Sequence, residues 1–220
     1  MTGAGLTGIL GGTFDPVHLG HLAAAQAASA ALALDRVLLI PSHHPPHRPR
    51  SPHASAFHRF AMVSLAIGGH PQLTASDVEL RQPGPSYTAV TLRALHRSGT
   101  PASQLFFITG TDAFADIATW HDYPAVLDLA HFIVISRPGR SFDALESRLP
   151  DLAPRMRMAE SRAKMPAGVV ESPRIFLVTA DTPDVSSTEI RARARAGQSL
   201  ETFVPAAVED HIRRHGLYRE

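Results

Sequence analysis

The sequence predicts an α/β fold: a doubly wound parallel sheet with a C-terminal helical portion from about residue 186. Three observations carry this. Short, nearly continuous apolar runs alternate with stretches of helical period, as in parallel strands buried on both faces. The first run ends on the pair Gly11-Gly12, where a strand can turn tightly into a helix. Capping residues and glycines then bracket the helical stretches.

Taken in order, Leu6 to Leu10 reads as a short buried strand stopped by Gly11 and Gly12. An Ala-rich helix follows from about Leu19 to Leu34, and Arg36 to Ile40 is a second buried strand, giving a βαβ opening. The prolines of SHHPPHRPRSPH forbid regular structure and make it a loop. Phe57, Phe60, Ala61 and Leu65 recur at helical spacing before Gly68-Gly69, and a weaker strand lies around Leu73 to Ala75. PGPSYTAVTLRALHRSG reads as a turn, a cap region and a helix ending at Gly99. QLFFITG is a strand, DAFADIATW is helical, and the run from His131 through Ser136 is another buried strand with a Pro-Gly stop after Arg137. From about Ser141 to Ser172 the signal is poor, and RMRMAESRAKMPAGVVES reads as a helix followed by a loop. Arg174 to Val178 resumes as a strand, SSTEIRARARAG as a capped helix with Ser186 or Ser187 at its start, and VPAAVEDHIRRHGLY as a last helix ending at Gly216.

With 220 residues, 44% of them hydrophobic, the chain is expected to fold as one domain over residues 1–220. The formal net charge of +1 argues against a general electrostatic grip on a nucleic acid polymer. Lys164 is the only lysine, so anion chemistry must run on Arg, His, backbone N–H groups and metal. Without cysteine there is no disulfide, thiolate zinc site or cysteine nucleophile. No apolar run approaches the roughly 18 residues of a membrane span, so a cytoplasmic enzyme is expected. The oligomeric state is not legible; a homo-oligomer is open.

The most informative string is GGTFDPVHLGHL, Gly11 to Leu22. A glycine pair lets backbone approach a ligand closely, and two histidines three apart at a helix start can face one anion. Taken alone, the same residues also suit a plain turn and an exposed helix face. DVSSTEIR, Asp184 to Arg191, supplies a second helix start whose N–H groups, hydroxyls and Arg191 suit an anion.

The first string resembles the signature of the nucleotidylyltransferase superfamily, which has a Rossmann-like fold, and DVSSTEIR resembles its second phosphate-binding motif. PPHR at Pro45 to Arg48, PSYTAVTL at Pro85 to Leu92, GTDAF with the following Trp120, and SRPG at Ser136 to Gly139 are similar to segments of the bacterial nicotinate-mononucleotide adenylyltransferases. The resemblance implies transfer of the adenylyl group of ATP to nicotinate mononucleotide, with pyrophosphate released and Mg2+ carried on ATP. It implies catalytic roles for His18, His21 and Arg191. Gly11, Gly12, Thr13, Phe14, Gly110, Asp112, Arg137, Ser186, Ser187 and Thr188 would contact ATP. His47, Arg48, Tyr87, Thr88 and Trp120 would contact the mononucleotide, with Trp120 stacked on its ring. Asp15 would orient the first loop or merely cap a turn before Pro16, and Asp122 is expected to cap the helix after it. His121 stands where such enzymes often carry an aromatic residue. His43, His44 and His47 cluster in the proline-stiffened loop, but no dedicated metal site is expected.

Phosphopantetheine, FMN and glycerol-phosphate nucleotidylyltransferases share the first motif but would not be expected to carry PSYTAVTL with Trp120. An aminoacyl-tRNA synthetase would need a lysine-rich second motif and a tRNA-binding domain. A catalytically silent nucleotide-binding regulator is the reading from a different class.

Overall fold

A computed structural model describes residues 5–46, 51–136, 142–159 and 172–219. The chain runs β1 (Thr7–Gly12), α1 (Leu19–Leu32), β2 (Arg36–Pro41), α2 (Ala56–Ala66), β3 (Leu73–Ala75), α3 (Thr88–Arg97), β4 (Leu105–Gly110) and α4 (Thr111–Phe114). It continues with β5 (His131–Ser136), α5 (Asp143–Arg148), β6 (Met156–Met158), β7 (Ile175–Thr179), α6 (Ser187–Arg195) and α7 (Ala206–Arg214). The described residues form a seven-stranded sheet in the order β3-β2-β1-β4-β5-β7-β6, with every pairing parallel.

Each central strand is apolar on both sides because both faces are covered. Along β4, Phe106 and Ile108 join the cluster that holds α1, α2 and the C-terminal helices, whereas Leu105 and Phe107 join the one under α3. Small residues on α1, Ala25, Ala28 and Ser29 among them, let it lie close to the sheet. From β1 the chain moves to β2 and β3, then returns to the other side of β1 as β4. That reversal opens a crevice at the carboxyl ends of β1 and β4, where such sheets bind ligands. No helix of the described residues is long and apolar enough to cross a membrane.

Four expectations change. In α2 the buried stripe is Arg59, Met62, Val63 and Ala66, not the stripe through Phe57, which is 86% exposed, and Leu65. Arg59 turns inward because three backbone carbonyls await its guanidinium there. DAFADIATW does not make a continuous helix: α4 is one turn, and a 3-10 turn follows at Ile117–Thr119, which seats Phe114 and Ile117 in the core. Met156–Met158 is an edge strand rather than the start of a helix, because pairing with β7 satisfies its backbone and buries Met156. The Asp122 side chain caps no helix. Its backbone carbonyl accepts from Val126 N–H, while the carboxylate pairs with Arg93.

Candidate active site

The loop from β1 to α1 is fixed from several directions. Asp15 is 1% exposed, and its Oδ2 accepts from the His53 amide at 2.8 Å. Its Oδ1 accepts from the Ala54 amide and from the Tyr218 hydroxyl, each at 3.0 Å. Burial pushes this carboxyl up, but the Ala54 and His53 amides, the Tyr218 hydroxyl and the Arg191 charge outweigh it and hold it below the ordinary range. Burial beside Asp15 pushes the Tyr218 hydroxyl far up, so it remains a proton donor.

Arg59 donates from Nη1 to the carbonyls of Thr13 (2.8 Å) and Ser42 (2.7 Å) and from Nε to that of Ala54 (3.2 Å). One buried cation thereby links the loops after β1 and β2 to the approach to α2. On the other side, Arg191 donates from Nη1 to the Asp15 carbonyl at 2.7 Å and from Nη2 to the Thr188 hydroxyl at 3.1 Å. Ser187 Oγ donates to the Pro16 carbonyl at 3.0 Å, so the start of α6 is stitched to the loop before α1.

His18 is the N-cap of α1, in extended backbone. Its amide donates to Nδ1 of His21 at 3.2 Å, and the two rings lie 3.7 Å apart between centroids, tilted by 30°. A neutral His21 whose Nδ1 accepts must carry its proton on Nε2. The buried Phe14 holds the His21 ring edge-on at 4.9 Å. Gly20 marks a close approach: a Cβ there would lie 3.1 Å from His18 Nδ1 and 3.3 Å from the Pro183 carbonyl, so the His18 ring or the Pro183 backbone would have to give by a few tenths of an ångström.

Two cavities open at this edge of the sheet. The larger, about 590 Å³, is lined by Gly11, His18, Gly20, His21, Gly110 and Ser186–Thr188, among others. The starts of α1 and α6 therefore face one space, with Ser186 as the N-cap of α6, accepting from the Glu189 amide at 3.1 Å. The smaller, about 320 Å³, is lined by Pro46, Ser86, Tyr87, Thr88, Asp116, Thr119 and His121. Ala113 and Trp120 line both cavities. Trp120 is half-buried, edge-on to Phe107 at 5.8 Å, so it serves as core and as cavity wall at once.

The sequence-predicted residues thus gather in two groups. Gly11, His18, His21, Gly110, Ser186, Ser187 and Thr188 meet at the larger cavity; Tyr87, Thr88 and Trp120 meet at the smaller. Gly12, Thr13, Phe14, Asp112 and Arg191 do not line the larger cavity. Thr13 and Phe14 support the loop behind it instead. His47, Arg48 and Arg137 lie outside the described residues.

The smaller cavity has its own support. Tyr87 stacks on His121 at 4.2 Å with 21° between the planes, so a histidine supplies the flat face otherwise expected of an aromatic residue. Ser86 Oγ accepts from the His43 amide at 2.8 Å, tying the loop after β2 to the approach to α3. Beneath it, Glu79 is buried and accepts from the Thr91 hydroxyl at 2.6 Å. Burial raises the Glu79 carboxyl above its usual range against bonds from Thr91 and Ser86. The Arg93 hydrogen bond holds Asp122 low, so that carboxylate is already matched by a cation.

Arg59, Glu79 and Tyr218 are the members that sequence reasoning missed. A signal existed for Arg59: it heads the stripe Arg59, Met62, Val63, Ala66, spaced i, i+3, i+4, i+7, and a charge on an apolar stripe marks a buried ionic contact. Glu79 and Tyr218 carry no such local mark.

The family profile described as cytidylyltransferase-like matches residues 9–193. A protein from Desulfatibacillum aliphaticivorans, named "probable nicotinate-nucleotide adenylyltransferase", is 41% identical over 215 residues, covering 96% of this chain and 98% of its own. One of the same name from Roseiflexus sp. strain RS-1 is 42% identical, covering 96% and 97%. Among solved structures, the Plasmodium falciparum nicotinic acid mononucleotide adenylyltransferase complexed with NaAD superposes with a TM-score of 0.72 over 98% of both chains. At 17% identity that likeness is one of fold.

Proposed function

This chain belongs to the cytidylyltransferase-like family and, within it, to the nicotinate-nucleotide adenylyltransferases, and from that premise we propose that its larger cavity takes ATP and its smaller one the nicotinate mononucleotide. The reaction joins the adenylyl group of ATP to the mononucleotide, forming nicotinate adenine dinucleotide for NAD biosynthesis. A phosphate oxygen of the mononucleotide attacks the α-phosphorus in line, and the bond to the β-phosphate breaks as pyrophosphate leaves. The observation that carries this reading is the pair of cavities sharing Trp120 and Ala113: two adjoining spaces for two reactants, the larger faced by His18, His21 and the start of α6.

His18 and His21 are assigned to the α- and β-phosphate oxygens, with His21 donating from Nε2. The positive ends of α1 and α6 add to them, as do the hydroxyls of Ser186 and Thr188, while Ser187, whose hydroxyl donates to the Pro16 carbonyl, is assigned through its backbone. Catalysis of this kind is positioning plus stabilisation of charge, and no covalent intermediate on the protein is needed. Arg191 is assigned to the distal phosphates, an assignment that requires its guanidinium to extend beyond the Asp15 carbonyl and the Thr188 hydroxyl that hold it outside the cavity lining. Among the described residues no group of three histidines or carboxylates could hold a metal ion, and none lining the larger cavity is acidic. The lining therefore fits Mg2+ only as an ion carried on phosphate oxygens and water, where it would offset phosphate charge.

The smaller cavity suits an acid at the ring. The start of α3, with Thr88 at its first position, offers unpaired N–H donors. A carboxylate accepts from such donors on both oxygens, whereas a carboxamide would turn its own N–H toward them. Two donors left unpaired at about 1 to 3 kcal/mol each give at least a roughly hundredfold preference for the acid. The deciding assay is pyrophosphate release from ATP with a panel of mononucleotides. Turnover with nicotinate mononucleotide is expected; none would overturn the reading. A nicotinate-to-nicotinamide ratio in kcat/KM within tenfold would overturn the acid preference alone.

A further inference from the structure

We infer that Tyr218, 203 residues from the loop it serves, is a positioning residue for adenylyl transfer, its hydroxyl holding Asp15 so that His18 stands where the transferring phosphorus will be. The inference rests on the functional reading above and adds a residue to it.

Two independent observations point to a task for Tyr218. Its backbone lies at φ +67, in the left-handed region that a bulky side chain rarely adopts. Such strain persists only where surrounding contacts over-determine it. Here they do: α7 ends at Arg214, Gly216 turns at φ +61, and the chain folds back to bury the Tyr218 ring to 7% exposure. The hydroxyl reaches a carboxylate that lies at the junction of the site. Phe14, next to Asp15, is also left-handed at φ +50, so strained positions near the two ends of the described chain converge on one group.

Asp15 makes its contacts on both sides of the chain. Its carboxylate takes up the amides of His53 and Ala54, and its carbonyl takes up Arg191. The charged and titratable groups facing that carboxylate are the His53 ring at 3.3 Å, Arg191 at 4.0 Å and Tyr218. Tyr218 supplies the one hydroxyl of the set. Without it, a buried carboxylate loses a donor that no water can readily replace, and the cheapest relief is a shift of residues 14–18. Such a shift moves His18, the N-cap of α1, while leaving the rest of the larger cavity's lining and the whole of the smaller cavity's in place.

The expected signature is therefore a loss in kcat rather than in binding, because a donor that acts on transition-state charge is displaced while ground-state contacts remain. The test uses the full chain with ATP and nicotinate mononucleotide at 25 °C. Tyr218→Phe keeps the ring and removes one oxygen; kcat should fall by about tenfold, with both KM values within about threefold of wild type. Val208→Ala, at a fully buried position of α7 away from both cavities, is the comparator for simple loosening of the C-terminal helix. It should lower Tm at least as much as Tyr218→Phe and leave kcat near wild type. Wild-type kcat in Tyr218→Phe overturns the inference and leaves the reaction standing. So does an equal kcat loss in Val208→Ala at a matching loss of Tm, since Tyr218 would then act through stability alone. A wild-type chain without turnover overturns the functional reading and the inference together.

Discussion

Asp15, at the carboxyl edge of the sheet, and His131, which opens β5 on the amino edge, are equally hidden, at 1% and 0% exposure, yet one is kept charged and the other neutral. Around Asp15 the chain assembles two amides, a hydroxyl and an arginine, enough to hold the carboxylate below its ordinary range against the pull of burial. Toward a charged form His131 receives only a backbone hydrogen bond at Ser103, too little to offset burial. Burial pushes it down to about 4, the charges of Arg174 and Arg155 add to that, and the ring packs flat on Phe106 at 4.7 Å. Its Nδ1 accepts the Arg174 amide at 3.0 Å, as a neutral imidazole can. Charge is thus retained in the interior where it holds the first loop of the candidate site. At the opposite edge a titratable side chain serves as a flat piece of core.

The sharpest way to break that contrast is to remove a donor at the carboxyl edge. His18→Ala should lower kcat by roughly a hundredfold or more, about 3 kcal/mol of transition-state stabilisation, with substrate affinity changed less. Steady-state kinetics on the purified variant check this, and near-normal kcat would take His18 out of the mechanism.

A smaller effect is expected from Arg191→Ala. Loss of its charge-assisted contacts, worth about 1.5 to 3 kcal/mol, should raise the KM for ATP roughly tenfold or more, well beyond any change for the mononucleotide. Equal changes in both KM values would mean that Arg191 serves the Asp15 carbonyl alone and never reaches the phosphates.

The smallest effect belongs to the amino edge and concerns stability. Because the folded-state value of His131 lies below the ordinary 6.5, the unfolded chain binds the extra proton. Stability from a neutral His131 is therefore complete above about pH 6.5 and drains away as pH falls toward about 4. The sum is on the order of 3 kcal/mol, or roughly 5 to 10 °C in Tm for a chain of this size. His131→Phe should flatten the fall in Tm between pH 7 and 4.5 while kcat at pH 7 stays close to wild type. An unchanged acid slope would assign that sensitivity to another group.

The strands were legible because a parallel strand covered on both faces must be apolar throughout, and Leu105–Gly110 and His131–Ser136 fall where the runs predict. The two helix starts that face the larger cavity were legible too, since each is written in a few contiguous residues. What escaped the sequence was written across distance. The stripe through Phe57 and the stripe through Arg59 are both helical, and only the acceptors at Thr13 and Ser42 decide which one turns inward. Asp122 precedes a turn, as a capping residue would, but Arg93 from another helix claims its carboxylate. Met156–Met158 is short, and only the exposed edge of β7 makes it a strand. The donors on Asp15 come from residues 53, 54 and 218, and no local pattern announces such a meeting.

The spread of those positions also bears on the order in which the molecule comes into being during synthesis. β1 cannot find its second neighbour until β4 has emerged from the ribosome, and the loop that β1 feeds waits longer, for α6 and then for Tyr218. Contacts of such long range are slow to close, and domains rich in them fold late. A nascent chain that has not yet reached residue 218 can hold most of its sheet and still lack a finished first loop. Competence to react then waits on residue 218, as a late event rather than a gradual one.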